Sequence, residues 1–464
     1  MRGLASFITL SVAVLTACGG GGGGEGDSVS GSQTPNQYYS STALSKTFNN
    51  EIFHTNDFEY IQAYGSTYLL LVGGKTNEII NQESDFLDSY ARAFKITNGI
   101  VGEVDSKLNI VDTKSNQPQS IIKYDFNGDG VKDFVIGTFG PDAGSTPGAK
   151  DIVLESDING WKLVTTPNVN FPTESVAVGS IGSETFFYSS SQLCLNSNYS
   201  PFFTIKRNGQ FIADDSWLPD YMRGSTYQSP CSQQEYIGAT VYDVDDDGND
   251  DLILGTSDDA QRITWTNYVG SQIIFGNGID FKGRNINLPP TMFDVNGVNN
   301  TTVQSIAATK LWNNEVYILI SYYQSNVLGN PAIGGGIQLI RYKNGNVTDV
   351  TAQAFTGHPT FNANGSEPYQ FGGPMGIKFV DVNRDNCLDI VSNRKPGLWI
   401  NDCNGQFVWG YDFIKQFINT DRLFFYENGS NFGFITPYGS EENGKYNHLK
   451  ALRNIPTPSN GRFD

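Results

Sequence analysis

Three short segments of the chain share one acidic pattern, and this repetition constrains the fold more than any other feature. The segments are YDFNGDGVKDFVIGT from Tyr124, YDVDDDGNDDLILGT from Tyr242 and VDVNRDNCLDIVSN from Val380. In each segment, side chains that carry oxygen recur at alternate positions of a tight turn, and a short apolar run follows. Such a recurrence indicates one structural unit that the chain repeats.

The acidic pattern is typical of a calcium-binding loop. Calcium takes six to eight oxygen ligands, and a loop whose alternate residues turn inward supplies them. Loop position 6 needs a positive φ, and it is Gly130, Gly248 or Asn386. An EF-hand is excluded, because position 12 is not a glutamate and the flanking runs read as strands. The sequence predicts two to three calcium ions, with ligands at loop positions 1, 3, 5, 7 (a backbone carbonyl) and 9: Asp125, Asn127, Asp129, Val131 and Asp133; Asp243, Asp245, Asp247, Asn249 and Asp251; Asp381, Asn383, Asp385, Cys387 and Asp389.

A second repeated signal is the dipeptide Asn-Gly between apolar residues, which indicates a tight hairpin. The spacing from Asp125 to Asn159 equals the spacing from Asp243 to Asn277, and this common frame reveals further units without acidic residues. Units of about sixty residues then begin near residues 64, 125, 180, 243, 309, 381 and 426. We therefore predict an all-β fold, a seven-bladed β-propeller of four-stranded blades, with calcium loops in blades 2, 4 and 6 and residues 40–55 free to complete the last blade.

Composition and charge narrow the function. The chain of 464 residues contains 51 glycines and 13% aromatic residues, which suits short strands and turns and excludes a coiled coil. Its formal net charge is −18. Because nucleic-acid binding requires a basic surface, no nucleic-acid partner is expected. Strongly anionic polysaccharides are disfavoured for the same reason, unless the fold contains a local basic cleft.

The acidic loops, together with GIKFVDVNRDNCLDIV, LIRYKNGNVTDVT and IIFGNGIDF, resemble FG-GAP/VCBS repeats of the integrin-α-type β-propeller. The resemblance spans most of residues 40–464, and it is specific in the three acidic units and weak in the other four. It implies that each acidic loop joins the first and second strands of a blade and binds calcium. The departures at Asn386 and Cys387 imply a weaker third site. Only the fold and the metal sites carry over, since the ligand-recognition loops do not match.

The N-terminus is typical of an exported protein. Residues 1–17 read as a signal peptide, with a positive residue followed by an apolar stretch too short to span a bilayer. Leu15-Thr16-Ala17-Cys18 resembles a bacterial lipobox, which implies a lipid on Cys18. Residues 18–39 form a Gly- and Ser-rich tether, and 40–464 form the propeller. Gly19 after the cysteine favours the outer membrane, by resemblance to known lipoproteins, so we expect a lipid-anchored protein at the cell surface or the periplasmic face.

The remaining four cysteines suit an oxidising compartment. Pairing of nearest neighbours, Cys194 with Cys231 and Cys387 with Cys403, is one of three possible connectivities and the one we predict. Zinc is not expected, because no Cys or His cluster has the necessary spacing.

Two main functions remain open. The first is a non-catalytic binding or adhesion module for a glycan or protein ligand, which would bind at one rim of the ring. Aromatic residues that are candidates for this contact, although blade packing is the favoured explanation for each, are Trp312, Tyr322, Tyr323, Tyr369 and Phe371. The second is an extracellular polysaccharide-degrading enzyme, such as a propeller-type lyase. The scattered histidines and the negative charge argue against this alternative, and no catalytic residue is predicted. A scaffold within an envelope complex is a further alternative.

Overall fold

The computed structural model describes residues 52–76, 89–97, 100–103, 118–140, 148–157, 160–190, 202–222, 236–257, 270–291, 301–324, 335–355, 361–362, 375–394, 397–410, 424–428, 431–438 and 448–453. All of these residues lie in the unit Tyr38–Asp464. Among them, no helix is both long enough and apolar enough to cross a membrane.

The described chain folds into antiparallel sheets, each built from strands that follow one another in sequence. Six sheets contain the complete four-stranded meander of a propeller blade. Blade 1 contains β1 (Ile52–Ala63), β2 (Ser66–Thr76), β3 (Ser89–Thr97) and β4 (Ile100–Glu103). Blade 2 contains β5 (Pro118–Tyr124), β6 (Asp133–Thr138), β7 (Ile152–Asp157) and β8 (Gly160–Val164). Blade 3 contains β9 (Ser175–Ile181), β10 (Glu184–Ser190), β11 (Phe202–Arg207) and β12 (Gln210–Ala213).

The second half of the chain repeats the arrangement. Blade 4 contains β13 (Tyr236–Tyr242), β14 (Asp251–Thr256), β15 (Gln272–Ile274) and β16 (Asn285–Asn287). Blade 5 contains β17 (Thr301–Lys310), β18 (Val316–Gln324), β19 (Gly335–Lys343) and β20 (Asn346–Asp349), with the two-residue β21 (Phe361–Asn362) paired to β19. Blade 6 contains β22 (Met375–Val380), β23 (Asp389–Arg394), β24 (Gly397–Asn401) and β25 (Phe407–Trp409). Short helical turns cover Asp215–Trp217, Asp220–Met222, Trp312–Asn314 and Thr351–Ala354.

The prediction of seven four-stranded blades is wrong, because the described residues form six. The last sheet contains three strands over the described residues: β26 (Phe424–Asn428), β27 (Asn431–Tyr438) and β28 (His448–Arg453). The final repeat was expected on an apolar hairpin signal, and that hairpin does form, but a hairpin signal does not specify a full blade. Residues 52–55, expected to be free for the last blade, pair instead with β2 in blade 1.

The hydrophobic core lies between the blades. Phe134 and Ile136 of blade 2 pack in one cluster with Leu70 and Val72 of blade 1. Four further clusters join blades 2 and 3, 3 and 4, 4 and 5, and 5 and 6 in the same way. Each blade therefore buries its apolar faces against its neighbours, as expected for a propeller.

The last sheet lies beside the first blade. The first strands of successive blades contact one another from β1 to β22, and β26 of the three-stranded sheet contacts both β1 and β23. The sheet β26–β28 therefore bridges blade 6 and blade 1, and the first strands face the axis of the ring.

Candidate functional site

The three acidic loops occupy the same place in their blades. Residues 125–132, 243–250 and 381–388 each connect the first strand of a blade to its second strand. The Asn-Gly dipeptides of the repeat also have a constant place in the chain order, since those that begin at residues 98, 159, 208, 277, 344 and 404 all fall between the third and fourth strands of a blade. The sequence frame therefore located both kinds of turn in blades 2, 4 and 6.

The aspartate at position 1 folds each loop around its own carboxylate. Asp125 accepts hydrogen bonds from the backbone N–H groups of Gly128 (2.7 Å) and Gly130 (3.0 Å). Asp243 and Asp381 also accept two bonds each, one from the same position 6 and the other from the backbone N–H of position 5, Asp247 or Asp385. Position 6 has the expected positive φ, which is 84° at Gly130, 89° at Gly248 and 68° at Asn386. A carboxylate that collects N–H groups in this way stabilises a turn that the backbone alone would not form.

The aspartate at position 9 has a structural role that the sequence did not reveal. Asp133 is fully buried, and its two oxygens accept the N–H groups of Phe126 (2.7 Å) and Ser156 (2.6 Å). The equivalent bonds join Asp251 to Val244 and Gly276, and Asp389 to Val382 and Asn401. Position 9 therefore ties the start of each loop to the end of the third strand of its blade.

Burial dominates the ionisation of these carboxyl groups. It raises the pKa of Asp251 to about 8, and it raises the pKa of Asp389 to about 7 against the opposing effect of the two N–H donors. The neighbouring acidic side chains of each loop raise both values further. A nearby cation would therefore relieve a real electrostatic cost in these loops.

Blade 4 brings three carboxylates together in its acidic loop. One oxygen from each of Asp243, Asp245 and Asp247 lies within 4.8 Å of the others. The Oδ1 atom of Asp245 is buried and has no hydrogen-bond partner among the described residues. Burial raises the pKa of Asp245, and the Asp247 carboxylate raises it further. An orphaned buried carboxylate oxygen within a set of hard oxygen donors fits a calcium ion.

In blades 2 and 6, a side chain of the loop itself donates a hydrogen bond to one of the loop carboxylates. Each has asparagine at position 3, and the amide Nδ2 donates to the position-5 carboxylate, from Asn127 to Asp129 (3.1 Å) and from Asn383 to Asp385 (2.9 Å). These asparagines also accept the backbone N–H of position 5 through Oδ1. The amide and carboxylate oxygens of these two loops are still of the type that calcium prefers. Because position 3 is a neutral asparagine, the repulsion between carboxylates is smaller than in blade 4.

The predicted disulfide between Cys387 and Cys403 is confirmed, with Cα atoms 5.5 Å apart. It connects position 7 of the blade 6 loop to the turn between β24 and β25. Although both sulfur atoms lie near Asp385, a disulfide offers no thiolate to a metal. Cys194, Cys231 and the predicted lipidation site Cys18 lie outside the described residues.

Two of the aromatic residues proposed for ligand contact are engaged in packing. The Trp312 ring contacts Tyr317 and Phe407, with centroids 5.1 and 5.3 Å away, and its Nε1 donates to Asn401 Oδ1 (3.0 Å). Tyr322 is buried in the cluster between blades 4 and 5. Tyr323 is half-buried in β18. Tyr369 and Phe371 lie outside the described residues, as do the side chains of all three histidines.

The structure also reveals an ionic cluster on the first strands, which we call the axial cluster and which consists of Glu59, Lys123 and Lys378. The two Glu59 carboxylate oxygens contact Lys123 Nζ of blade 2 (3.1 Å) and Lys378 Nζ of blade 6 (2.7 Å). Burial would raise the pKa of Glu59, but the two ammonium groups hold it below its usual value. The Lys123 ammonium also lies 3.9 Å from the centroid of the Tyr60 ring. No sequence signal marks this cluster, because its members are far apart in the chain.

Comparison with known proteins adds a fold likeness only. No protein-family model matches the chain, and no curated protein matches it. Among solved structures it is similar to the periplasmic gluconolactonase PpgL of Pseudomonas aeruginosa, at 8% identity and a TM-score of 0.43, over 85% of this chain and 96% of that one. It is also similar to the polysaccharide lyase Uly1 (8% identity, TM-score 0.40, 87% and 90% of the two chains). An ancestral GH74 enzyme is similar at 12% identity and a TM-score of 0.45, over 90% of this chain and 51% of that one. At these levels of identity, no activity is transferred from them.

Proposed function

We propose that this chain is an exported lipoprotein whose FG-GAP/VCBS-type β-propeller is stabilised by calcium and acts as a binding or adhesion module for an extracellular glycan or protein. The observation that carries the calcium part is the convergence of Asp243, Asp245 and Asp247, with one buried oxygen unpartnered among the described residues. In this proposal, calcium supplies the positive charge that the three convergent carboxylates of blade 4 need beyond the one ion pair that Arg284 makes with Asp245. The equivalent loops of blades 2 and 6 provide the second and third sites.

The binding role is supported by the architecture. Blades packed side by side leave their connecting loops at the two rims of the ring, where loop sequence varies without cost to the core. The chain has a net charge of −18, so a ligand with a strongly acidic surface is disfavoured. A neutral glycan or a protein with a basic patch fits this charge better.

A glycan array probed with the exported protein tests the binding role. We expect calcium-dependent binding, with the signal lost in EDTA and restored when calcium is returned. The same preparation is incubated with uronate-containing polysaccharides, and new ultraviolet absorbance from unsaturated products would replace the binding role with a lyase activity. Folded, calcium-loaded protein that retains no glycan and no envelope protein would contradict a binding role.

The lipid anchor is tested separately. Because buried methylene groups each add about 0.8 kcal/mol of membrane affinity, two or three acyl chains on Cys18 resist salt washing. We expect the protein to fractionate with outer membranes, and Cys18→Ser to yield a soluble or uncleaved chain with the same calcium response. A processed Cys18→Ser chain that still floats with membranes would rule out lipidation as the anchor.

A further inference from the structure

The side chain of Arg284 reaches the acidic loop of blade 4 from the turn between the third and fourth strands, at the same end of the sheet. Arg284 immediately precedes β16, and its carbonyl accepts the N–H of Phe275 (2.9 Å). Its guanidinium carbon lies 3.7 Å from the centroid of the Phe275 ring. Its Nη2 donates to Asp245 Oδ2 (2.6 Å). Although the side chain is about half exposed, the ring and the carboxylate hold the guanidinium in one place.

Because of this contact, the two carboxylate oxygens of Asp245 differ in their hydrogen bonding. Oδ2 is occupied by the guanidinium, whereas Oδ1 is buried and has no partner among the described residues. A carboxylate with one oxygen fixed by a planar donor cannot rotate freely, so the second oxygen keeps one direction. Carboxylates that bind metals are commonly oriented by such outer hydrogen bonds, and loss of the outer partner weakens metal binding.

We propose that Arg284 is a positioning residue for calcium in blade 4: it holds Asp245 through Oδ2 and leaves Oδ1 for the ion. This inference rests on the calcium binding proposed above. A guanidinium beside a cation site has a second effect of opposite sign, because its positive charge repels the ion. The two effects predict opposite changes in affinity when Arg284 is replaced, which makes the sign of the change decisive.

The same loop provides a matched control in Lys310, on the first strand of blade 5. Its Nζ donates to Oδ1 of Asp246 at 2.5 Å. Asp246 occupies loop position 4, which is not among the predicted ligand positions. Lys310→Gln therefore removes one positive charge from the loop, as Arg284→Gln does, but leaves the Asp245 carboxylate untouched. Any difference between the two variants measures orientation rather than charge.

The experiment is calcium titration by calorimetry on the full chain in detergent. Asp129→Asn and Asp385→Asn serve as the background, so that the blade 4 site dominates the isotherm. We expect Arg284→Gln to weaken calcium binding by about 10- to 100-fold. Lys310→Gln should leave the affinity unchanged or slightly higher, and Arg284→Lys should fall between Arg284→Gln and the parent. Circular dichroism of the calcium-free variants checks that the fold persists.

A double-substitution cycle separates positioning from a general loss of structure. If Arg284 acts through Asp245, then Arg284→Gln adds no further loss to Asp245→Ala, and the pair binds calcium no more weakly than Asp245→Ala alone. Tighter binding by Arg284→Gln, equal shifts in Arg284→Gln and Lys310→Gln, or additive losses in the cycle would each overturn the inference. A parent chain that binds no calcium would overturn the proposed calcium role as well, so the two failures are distinguishable.

Discussion

The acidic loops of blades 4 and 6 follow the same path but are stabilised in different ways. In both, position 1 collects backbone N–H groups and position 9 ties the loop to the third strand. Blade 4 has glycine at the turn and three convergent carboxylates, balanced from outside by Arg284 and Lys310. Blade 6 has Asn386 at the turn and the disulfide from Cys387.

This difference shows that the backbone path and the charge of the loop are separable. The hydrogen bonds to positions 1 and 9 set the path, and these residues are aspartate in both blades. The remaining positions determine whether the loop depends on a cation or on a covalent link. We therefore expect blade 4 to depend on calcium more strongly than blade 6.

Removal of calcium should give the largest effect, because all three loops contribute. A ligand that binds only the folded state adds about 2.7 kcal/mol at a hundredfold excess over its dissociation constant. We expect EDTA to lower the melting temperature, and Asp247→Ala to reduce this sensitivity more than Asp385→Ala. Differential scanning calorimetry with and without calcium measures both. A melting temperature that EDTA does not change would contradict the expectation that the blade 4 loop depends on calcium.

Loss of the disulfide should have the next largest effect, and it should act on blade 6 alone. Closing a loop of this length contributes roughly 3 kcal/mol in the chain-entropy model. We expect the double substitution Cys387→Ser/Cys403→Ser to lower the free energy of unfolding by about this amount, measured by urea denaturation. Because the blade 4 loop is untouched, its calcium affinity should not change. A fall in that affinity would show that the loops are not independent.

The parts of the fold that sequence predicted are those fixed by contacts near in the chain. Asn208 and Gly209 have φ values of 52° and 77°, so the hairpin depends on two adjacent residues. The acidic loops likewise depend on about nine consecutive residues. The number of complete blades was not predictable. The hairpin signal near residue 426 specifies only two paired strands, and it does not show whether two further strands complete a four-stranded blade.

Features that depend on distant residues were not predictable from the sequence. Glu59 and Lys378 are separated by 319 positions, and only closure of the ring brings them together. Position 9 is predicted as a metal ligand from its carboxyl type and spacing, whereas its hydrogen-bond partners at the end of the third strand come from the tertiary fold and have no sequence signal. Trp312 is a similar case, since its neighbours Tyr317 and Phe407 belong to two different blades.

A buried carboxylate that needs no cation sharpens the comparison further. Asp151 of blade 2 accepts hydrogen bonds from Thr138 N (2.9 Å), Thr173 Oγ1 (3.1 Å) and Ser189 Oγ (2.6 Å). Burial nevertheless raises its pKa to about 6. Because the folded state then holds the proton more tightly than the unfolded chain, the free energy of unfolding falls as pH rises from about 4 to about 6. Asp151→Asn should remove this contribution to the slope, measured by urea denaturation across that range, and leave the contributions of Asp251 and Asp389, whose pKa values burial also raises.

The Asp151 slope should be the same in calcium and in EDTA, because its partners belong to no acidic loop. An unchanged slope in Asp151→Asn would assign the pH dependence to other groups. If the Asp151 contribution to the pH dependence disappeared when calcium is added, cation binding and the ionisation of this buried carboxylate would be coupled. The acidic loops and Asp151 would then differ only in how strongly they depend on calcium.

The smallest effect concerns the residue at the turn of each loop. Gly248 has a φ of 89° and nothing within 4 Å of the position where a Cβ would lie, so only backbone strain opposes a side chain there. We expect Gly248→Ala to destabilise the protein by about 1 kcal/mol, and Gly248→Asn by less, since asparagine tolerates this conformation as it does at position 386. Gly270→Ala is the control, because its site is equally open and has no positive φ. The losses of unfolding free energy are measured by urea denaturation in EDTA. Equal losses for alanine and asparagine at Gly248 would show that asparagine does not tolerate this turn better than alanine. The turn at Asn386 in blade 6 would then depend on the disulfide.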